Sequence, residues 1–163
     1  MSSLKWFWDD FTDYRPTIVF GEYDKDGKDG LVLSIDAKMP TNAADDEYIE
    51  IGGFNSVGFA WPAFKVNYGP SLRIYKNGKW EMYGYTTDKV EKPLPLALEG
   101  VLPNFNGNAW HTYKIEIGND KVTGYVNGVK LGTITESRGT VGLYISSGWN
   151  NTRFDNLMTK TYK

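Results

Sequence analysis

Apolar and polar residues alternate with a period of two in the last third of the chain, from Trp110 to Leu157. The run from Tyr113 to Ile117 alternates in this way and stops at Gly118-Asn119-Asp120. The run from Val122 to Val126 stops at Asn127-Gly128, a dipeptide preferred by two-residue type I′ turns because both central residues need positive φ. The pattern therefore predicts short antiparallel strands joined by hairpins.

The rest of the chain shows the same short runs, and apolar residues do not recur at helical spacing over any dozen residues. Asn77-Gly78 marks a second tight hairpin turn, and the Pro-rich stretch 86–109 is predicted to be a long loop. The further predicted strands are 6–11, 17–22, 31–37, 48–54, 56–61, 64–68, 72–76, 79–85, 131–135, 141–146 and 154–157. The sequence thus predicts an all-β fold of mostly antiparallel sheets.

Composition agrees with this fold and excludes several classes of function. The 163 residues include 18 Gly, 7 Pro and 15% aromatic residues, which suits one domain, 1–163, with its own core and many turns. The net charge of −2, without a cluster of Lys and Arg, argues against a nucleic-acid partner. No stretch reaches the ~20 apolar residues of a membrane span, and without Cys there is no disulfide or thiolate chemistry.

Several short motifs, most of them after Ile74, resemble a known family. They are W-H-T, D-K-V-T-G-Y-V-N-G-V, G-x-V-G-L, S-G-W and a closing F-D-N, together with the hairpin Tyr75–Glu81, the stretch 94–100 and an opening W-D-D-F. This series is similar to the C-terminal lectin-like domain of galactocerebrosidase-type glycoside hydrolases, within the concanavalin A-like and laminin-G-like group. The resemblance implies a two-sheet antiparallel β-sandwich of the jelly-roll type.

The same resemblance implies a function and a location. It indicates an extracellular module that binds a polysaccharide or glycan and is a monomer tethered to a catalytic domain of a larger secreted chain. The opening Met-Ser-Ser-Leu-Lys lacks the apolar segment of a secretion signal. We therefore expect the signal to have been removed or to lie elsewhere in a longer parent chain.

The resemblance also implies a structural calcium ion where the first and last strands meet. Its ligands would be Asp155 and either Asp9 or Asp10, since Ca²⁺ prefers oxygen ligands. The alternative is that Asp155 caps a turn or pairs with Arg153 or a lysine. The charged run Asp24–Gly30 does not fit an EF-hand, because the twelfth position counted from Asp24 is Ile35, and it is predicted to be a solvated turn.

Aromatic residues are the strongest functional signal, because sugar rings stack their apolar faces on aromatic side chains. Strand alternation places Glu81, Tyr83 and Tyr85 on the face opposite Trp80 and Met82.

The alternation of the last third also places aromatic and amide side chains outward. If the apolar residues of 115–126 and 143–145 face the core, then Tyr125, Asn127 and Tyr144 face out. We expect Tyr125 to extend the face of Tyr83 across a neighbouring strand.

Loops offer a second candidate for sugar binding, and we expect it to be favoured over the sheet face. Trp149 lies in a Gly-Trp-Asn-Asn loop with Asn150 and Asn151, and Trp61 precedes Pro62 in another bend. An exposed loop Trp is costly unless it binds something. The alternative for each Trp is burial in the core. Asn150-Asn151-Thr152 is also a glycosylation sequon.

Catalytic signals are weak in this sequence. Glu47 and Glu50 are three residues apart and point to opposite faces of a strand, unlike the paired carboxylates of a jelly-roll glucanase. His111, the only histidine, is expected to pack at the sheet margin and has no Ser or Cys partner in a triad pattern. The sequence predicts a non-catalytic carbohydrate-binding module. The alternatives are a glycoside hydrolase of the same architecture and an accessory domain that packs against a catalytic domain.

Overall fold

The computed structural model describes residues 5–7, 17–20, 30–60, 63–84, 96–118, 120–135, 142–147 and 150–162, with the side chains of 5–7, 17–20, 54–60, 63–68 and 162 excepted. The strands are β1 Lys5–Phe7, β2 Thr17–Phe20, β3 Gly30–Lys38, β4 Tyr48–Ala60, β5 Ala63–Tyr75, β6 Lys79–Tyr83, β7 Leu96–Val101, β8 His111–Ile117, β9 Val122–Val126, β10 Val129–Ile134, β11 Gly142–Ser146 and β12 Arg153–Tyr162. Among these residues there is no helix, and so none long and apolar enough to cross a membrane.

The strands form two antiparallel sheets. One has seven strands in the order β1-β2-β11-β4-β5-β6-β7, and the other has five in the order β10-β9-β8-β3-β12. Every strand pair is antiparallel. The predicted all-β, two-sheet antiparallel sandwich of the jelly-roll type is confirmed.

The core lies between the inner faces of the two sheets and is filled by alternate residues of their strands. The inward direction predicted for the last third is confirmed, because Ile115, Ile117, Val122, Val126, Leu143 and Ile145 are all buried. Leu143 and Ile145 belong to the seven-stranded sheet. The other large side chains that this sheet adds to the core include Ile49, Ile51, Leu72, Ile74, Trp80 and Met82.

Both Asn-Gly turns connect neighbouring strands, by different turn geometries. Asn127 and Gly128 both have positive φ, 51° and 78°, which confirms the predicted type I′ turn. At the second turn only Gly78 has positive φ, 93°, and its N–H donates to Tyr75 O at 3.0 Å. This is a three-residue connection closed by a glycine bulge. A Cβ on Gly78 would lie 2.8 Å from Leu102 O, so the position also needs glycine for space.

The structure differs from the predicted strands in three places. The last strand, predicted at 154–157, runs from Arg153 to Tyr162 as β12. The predicted breaks near 55 and 69–71 are wrong: β4 and β5 are continuous, with register irregularities from Gly52 to Ser56. Bulges absorb the irregular residues without ending either strand. The predicted loop 86–109 contains β7, an edge strand with poor alternation because only Leu98 of its side chains packs on the core.

Candidate functional site

The outer face of the seven-stranded sheet carries a cluster of charged and aromatic side chains from its central strands. The register places Ser146, Glu50, Arg73, Glu81 and Glu99 side by side in one row across β11, β4, β5, β6 and β7. The residues two positions away along the same strands lie beside this row. We call Tyr48, Glu50, Arg73, Tyr75, Glu81, Tyr83 and Tyr144 the outer-face cluster.

Glu50 is the centre of a buried hydrogen-bonded group. Its Oε1 accepts a hydrogen bond from Arg73 Nε at 2.9 Å, and its Oε2 accepts one from Tyr144 Oη at 3.0 Å. Glu50 is 5% exposed and Tyr144 is 0% exposed, although both lie on the outer face. A buried carboxylate needs such partners, and these bonds fix the position of the guanidinium.

Arg73 lies between tyrosine rings. Its Cζ is 4.0 Å from the centre of the Tyr48 ring and 5.1 Å from that of Tyr83. The Tyr48 and Tyr75 rings meet edge to face, with centroids 5.6 Å apart. The guanidinium is therefore held by the Glu50 carboxylate and lies over two tyrosine rings.

Glu81 forms a second polar group beside the first. Its Oε2 accepts a hydrogen bond from Tyr83 Oη, and its Oε1 is 3.3 Å from Lys79 Nζ. Tyr75 also donates to Glu81. Lys79 Nζ lies 5.4 Å from the centre of the Tyr75 ring, which links the two parts of the cluster.

These contacts set the charge states of the cluster. Burial would raise the pKa of Glu81, but hydrogen bonds from Tyr83, Tyr75 and Lys79 outweigh it and lower that pKa. Burial, together with the hydrogen bond to Glu81, raises the pKa of Tyr83 above that of an ordinary phenol, and the pKa of Tyr75 is raised for the same two reasons. Burial disfavours the charged form of Arg73, but the Glu50 carboxylate and the neighbouring tyrosines together outweigh burial, and the pKa of Arg73 is raised. At neutral pH the Glu81 carboxylate therefore faces a lysine and two protonated phenols.

The structure confirms on which face of β6 the predicted residues lie. Glu81 and Tyr83 share the outer face while Trp80 and Met82 are buried on the core side, as predicted. Tyr85 lies outside the described residues.

The predicted extension through Tyr125 is wrong. Tyr125 is on β9 of the five-stranded sheet, so it faces the opposite side of the sandwich from Tyr83. There it contacts Lys114, whose Nζ is 4.2 Å from the ring centre, and its Oη donates to Glu116 at 3.3 Å.

The described residues include only part of the predicted loop site. Trp149 and Trp61 lie outside the described residues. Asn150 is 9% exposed, its Nδ2 donates to Tyr48 O at 3.0 Å and its Oδ1 accepts from Thr152 Oγ1. Its amide thus ties the loop to the start of β4, whereas Asn151 is exposed.

Of the predicted calcium ligands, Asp155 lies among the described residues. Asp155 is exposed and its Oδ1 accepts from Asn156 N at 2.8 Å, whereas Asp10 lies outside the described residues. Asp155 pairs in register with Asp36 of β3, whose carboxylate accepts from Asn156 Nδ2 and Thr112 Oγ1. Within the described ranges no group of three His, Cys, Asp or Glu side chains is placed to hold a metal ion.

His111 lies far from the outer-face cluster in the topology, at the start of β8 in the other sheet. Its ring stacks on Phe105 with centroids 4.3 Å apart. Nε2 is 2.8 Å from Asn106 O, and Nδ1 accepts from Asn127 Nδ2 at 2.9 Å. The predicted position at the sheet margin is confirmed, and the ring joins a turn to a loop.

Arg73 and Tyr75 were not among the residues predicted from the sequence, and Glu50 was predicted without a partner. The alternation in Ser71-Leu72-Arg73-Ile74-Tyr75 places Arg73 and Tyr75 on the face opposite two aliphatic residues, and this signal was available in the sequence. The pairing of Arg73 with Glu50 was not readable, because it depends on the register of β4 against β5.

No protein-family model and no curated protein matches this chain. Solved structures do match its fold. The carbohydrate-binding module CBM66 from Bacillus subtilis aligns with a TM-score of 0.62 and 12% identity, over 98% of this chain and 94% of that one. Sheep galectin-11, in complex with glycerol, aligns with a TM-score of 0.59 and 8% identity, over 80% and 90% of the two chains.

An enzyme has the same architecture. The alginate lyase A1-II′, of polysaccharide lyase family 7, aligns with a TM-score of 0.63 and 8% identity, over 94% of this chain and 74% of that one. The likeness to galactocerebrosidase-type hydrolases stays a prediction. At these identities the similarity shows the fold alone: the chain has a jelly-roll fold like that of a carbohydrate-binding module, a galectin and an alginate lyase.

Proposed function

We propose that the outer face of the seven-stranded sheet binds a carbohydrate without covalent chemistry. The observation that carries the proposal is the position of Arg73, which donates to Glu50 and lies over the rings of Tyr48 and Tyr83. Glu50 and Tyr75 do not use up the five N–H donors of a guanidinium, and the side chain is 20% exposed. A positioned donor beside aromatic rings matches what sugar hydroxyls and apolar sugar faces require.

The aromatic part of the proposal rests on three half-buried rings. Tyr48, Tyr75 and Tyr83 each keep part of their surface in solvent on this face. The phenols of Tyr75 and Tyr83 are fixed by Glu81, which reduces the entropy lost when a ligand stacks on them. The structural similarity to a carbohydrate-binding module and to galectin-11 supports the same class of ligand.

The test is to screen the protein on insoluble polysaccharides and a glycan array, and then to measure Kd for one positive ligand. Tyr83→Ala should weaken binding about fivefold to tenfold, because a stacked aromatic contributes about 1 kcal/mol. Tyr125→Ala is the matched control, since it removes the same ring from the opposite sheet. The proposal fails if Tyr125→Ala weakens binding and Tyr83→Ala leaves it unchanged.

One observation favours a second candidate, a glycoside hydrolase. Glu50 and Glu81 lie in the same row with one strand between them, which puts their Cα atoms about 10 Å apart. Inverting hydrolases use two carboxyl groups about 6.5–9.5 Å apart, a separation that side chains on two such Cα positions can reach. The lowered pKa of Glu81 opposes this role, because a general acid needs a raised one. Release of reducing sugar that Glu81→Gln abolishes would establish the hydrolase.

The finer predictions belong to the same proposal. The domain is a secreted accessory module of a glycoside hydrolase, tethered to the catalytic domain as a monomer, and Trp149, Asn151, Trp61 and Tyr85 add contacts to the ligand. This part is supported by the sequence resemblance alone. A Trp149→Ala variant that binds tenfold more weakly and melts at the same temperature would support the loop contact, whereas an unfolded variant would show that Trp149 packs in the core.

A structural calcium ion is also proposed, with Asp155 and Asp10 as ligands from the last and first strands. A metal bound only to the folded state raises its stability by mass action. Chelation should therefore lower the melting temperature, and Asp155→Ala should remove that response. An unchanged melting curve after verified metal removal would rule out a stabilising ion.

A further inference from the structure

We infer that the outer face of the seven-stranded sheet selects neutral glycans and excludes acidic ones, because the described cations of this face are already paired with its own carboxylates. This inference rests on the proposed function and narrows it to a class of ligand. It assigns specificity to Glu81 and Glu99, which lie opposite each other on β6 and β7.

The charges of the described outer face leave an excess of one carboxylate. Two cations stand against three anions: Arg73 and Lys79 against Glu50, Glu81 and Glu99. Lys79 Nζ is 3.3 Å from Glu81 and also feels the charge of Glu99. One lysine therefore balances the charge of two carboxylates that face each other across neighbouring strands.

The positive charge of Arg73 is already balanced by the Glu50 carboxylate. Its Nε bond to Glu50 is 2.9 Å long, and Glu50 is 5% exposed. A ligand carboxylate that drew Arg73 away would leave Glu50 buried with less compensation, which is costly. Hydroxyl groups make no such demand, because they accept from the remaining guanidinium N–H groups while the pair stays intact.

The position of Glu99 is a second reason to expect that acidic glycans are excluded. It is exposed, and like charges directly opposite each other destabilise a sheet. The Glu81–Glu99 pairing thus places two carboxylates opposite each other on the proposed binding face, an arrangement that lowers the stability of the sheet. A uronate ring placed on Tyr83 would bring its carboxylate towards both groups, and like-charge contacts suppress the wrong ligand.

The experiment uses probes that differ only in charge. Polygalacturonate and alginate are compared with the same polymers after chemical reduction of their carboxyl groups, beside a panel of neutral polysaccharides. The protein should bind at least one neutral polymer, and any uronate should bind about tenfold more weakly than its reduced form or not at all. Affinity for the neutral polymer should change little between low and moderate salt.

Charge-removing variants locate the effect. Glu99→Gln removes an exposed carboxylate, and Glu81→Gln with Glu99→Gln also releases Lys79. In these variants the ratio of the affinity for the reduced polymer to the affinity for the uronate should fall about tenfold. Asp120→Asn, alone or with Glu116→Gln, makes the same change in net charge on the five-stranded sheet and should leave that ratio of affinities as it was. Glu99→Gln alone keeps the test valid if the double variant does not fold.

The outcomes separate the inference from the proposed function. Binding of a uronate at least as tight as binding of its reduced form overturns the inference and leaves carbohydrate binding standing. An unchanged difference in the Glu99→Gln and double variants overturns the assignment of specificity to Glu81 and Glu99. Binding of no polymer in the panel overturns the proposed function, and the inference with it.

Discussion

At the scale of single residues, the outer face is organised by how a buried charge is satisfied. Glu50 is nearly inaccessible, yet it has a guanidinium at one oxygen and a phenol at the other. Hydrogen bonds to a charged group in such a place are worth more than neutral ones, and removing one partner exposes the cost of burying the charge. Tyr144 therefore supports Arg73 through Glu50.

Tyr144→Phe tests that support. The change removes only the hydroxyl that donates to Glu50 Oε2 at 3.0 Å. The free energy of unfolding should fall by about 1–3 kcal/mol in urea denaturation. Tyr125→Phe is the control, because its bond to Glu116 is longer, 3.3 Å, and lies at a half-buried position, so its loss should cost about 0.5 kcal/mol or less. Equal losses in the two variants would contradict the account.

Glu81 gives a prediction in pH. Its pKa is lowered from 4.5 in the folded state, because the hydrogen bonds from Tyr83, Tyr75 and Lys79 outweigh burial. A carboxyl with a lowered pKa adds stability above its unfolded pKa, and this stability is lost as pH falls through the folded value. Tyr83→Phe removes one donor and should raise the pKa of Glu81 in an NMR titration of the side-chain carboxyl. No change would show that the Tyr83 bond does not form.

At the scale of elements, the β6–β7 pair joins the candidate site to the core. Trp80 of β6 pairs in register with Gly100 of β7, and its indole covers the glycine. The same strand presents Glu81 and Tyr83 on the outer face. The packing of Trp80 therefore fixes the edge strand that carries Glu99.

Gly100→Ala tests this packing. A Cβ at this position would lie 2.5–2.7 Å from three atoms of the Trp80 indole, so the ring or the strand must move. Overpacking of this kind typically costs about 1–3 kcal/mol, which thermal or urea unfolding would detect. Gly118→Ala is the matched control, since its Cβ would meet only Lys121 O at 3.5 Å. A Gly100→Ala variant as stable as Gly118→Ala would contradict the packing described.

Strand periodicity and turn chemistry were sufficient to predict most of these elements. The Asn127-Gly128 turn and the inward direction of Ile115 and Leu143 follow from local sequence alone. β7 did not, because an edge strand buries little and so shows weak alternation. The continuity of β4 and β5 did not either, because a bulge and a strand end have the same glycine-rich signature.

At the scale of the whole molecule, the candidate site is a product of register. Glu50 and Tyr144 are 94 residues apart in sequence and meet because β11 pairs with β4. Tyr83 and Tyr125 look alike in the sequence, yet they lie on different sheets. Alternation predicts which residues share a face within one strand, but only the order of strands decides which strands combine into a site.

The most direct test of the central claim is an NMR map of ligand binding. Backbone amide shifts would be followed while an oligosaccharide that passes the binding screen is added. If the outer face binds the ligand, the perturbed amides should lie on the seven-stranded sheet, around 48–50, 73–75 and 81–83. Perturbations confined to 123–127 on the five-stranded sheet, or to 150–152, with 73–75 and 81–83 unmoved, would contradict it.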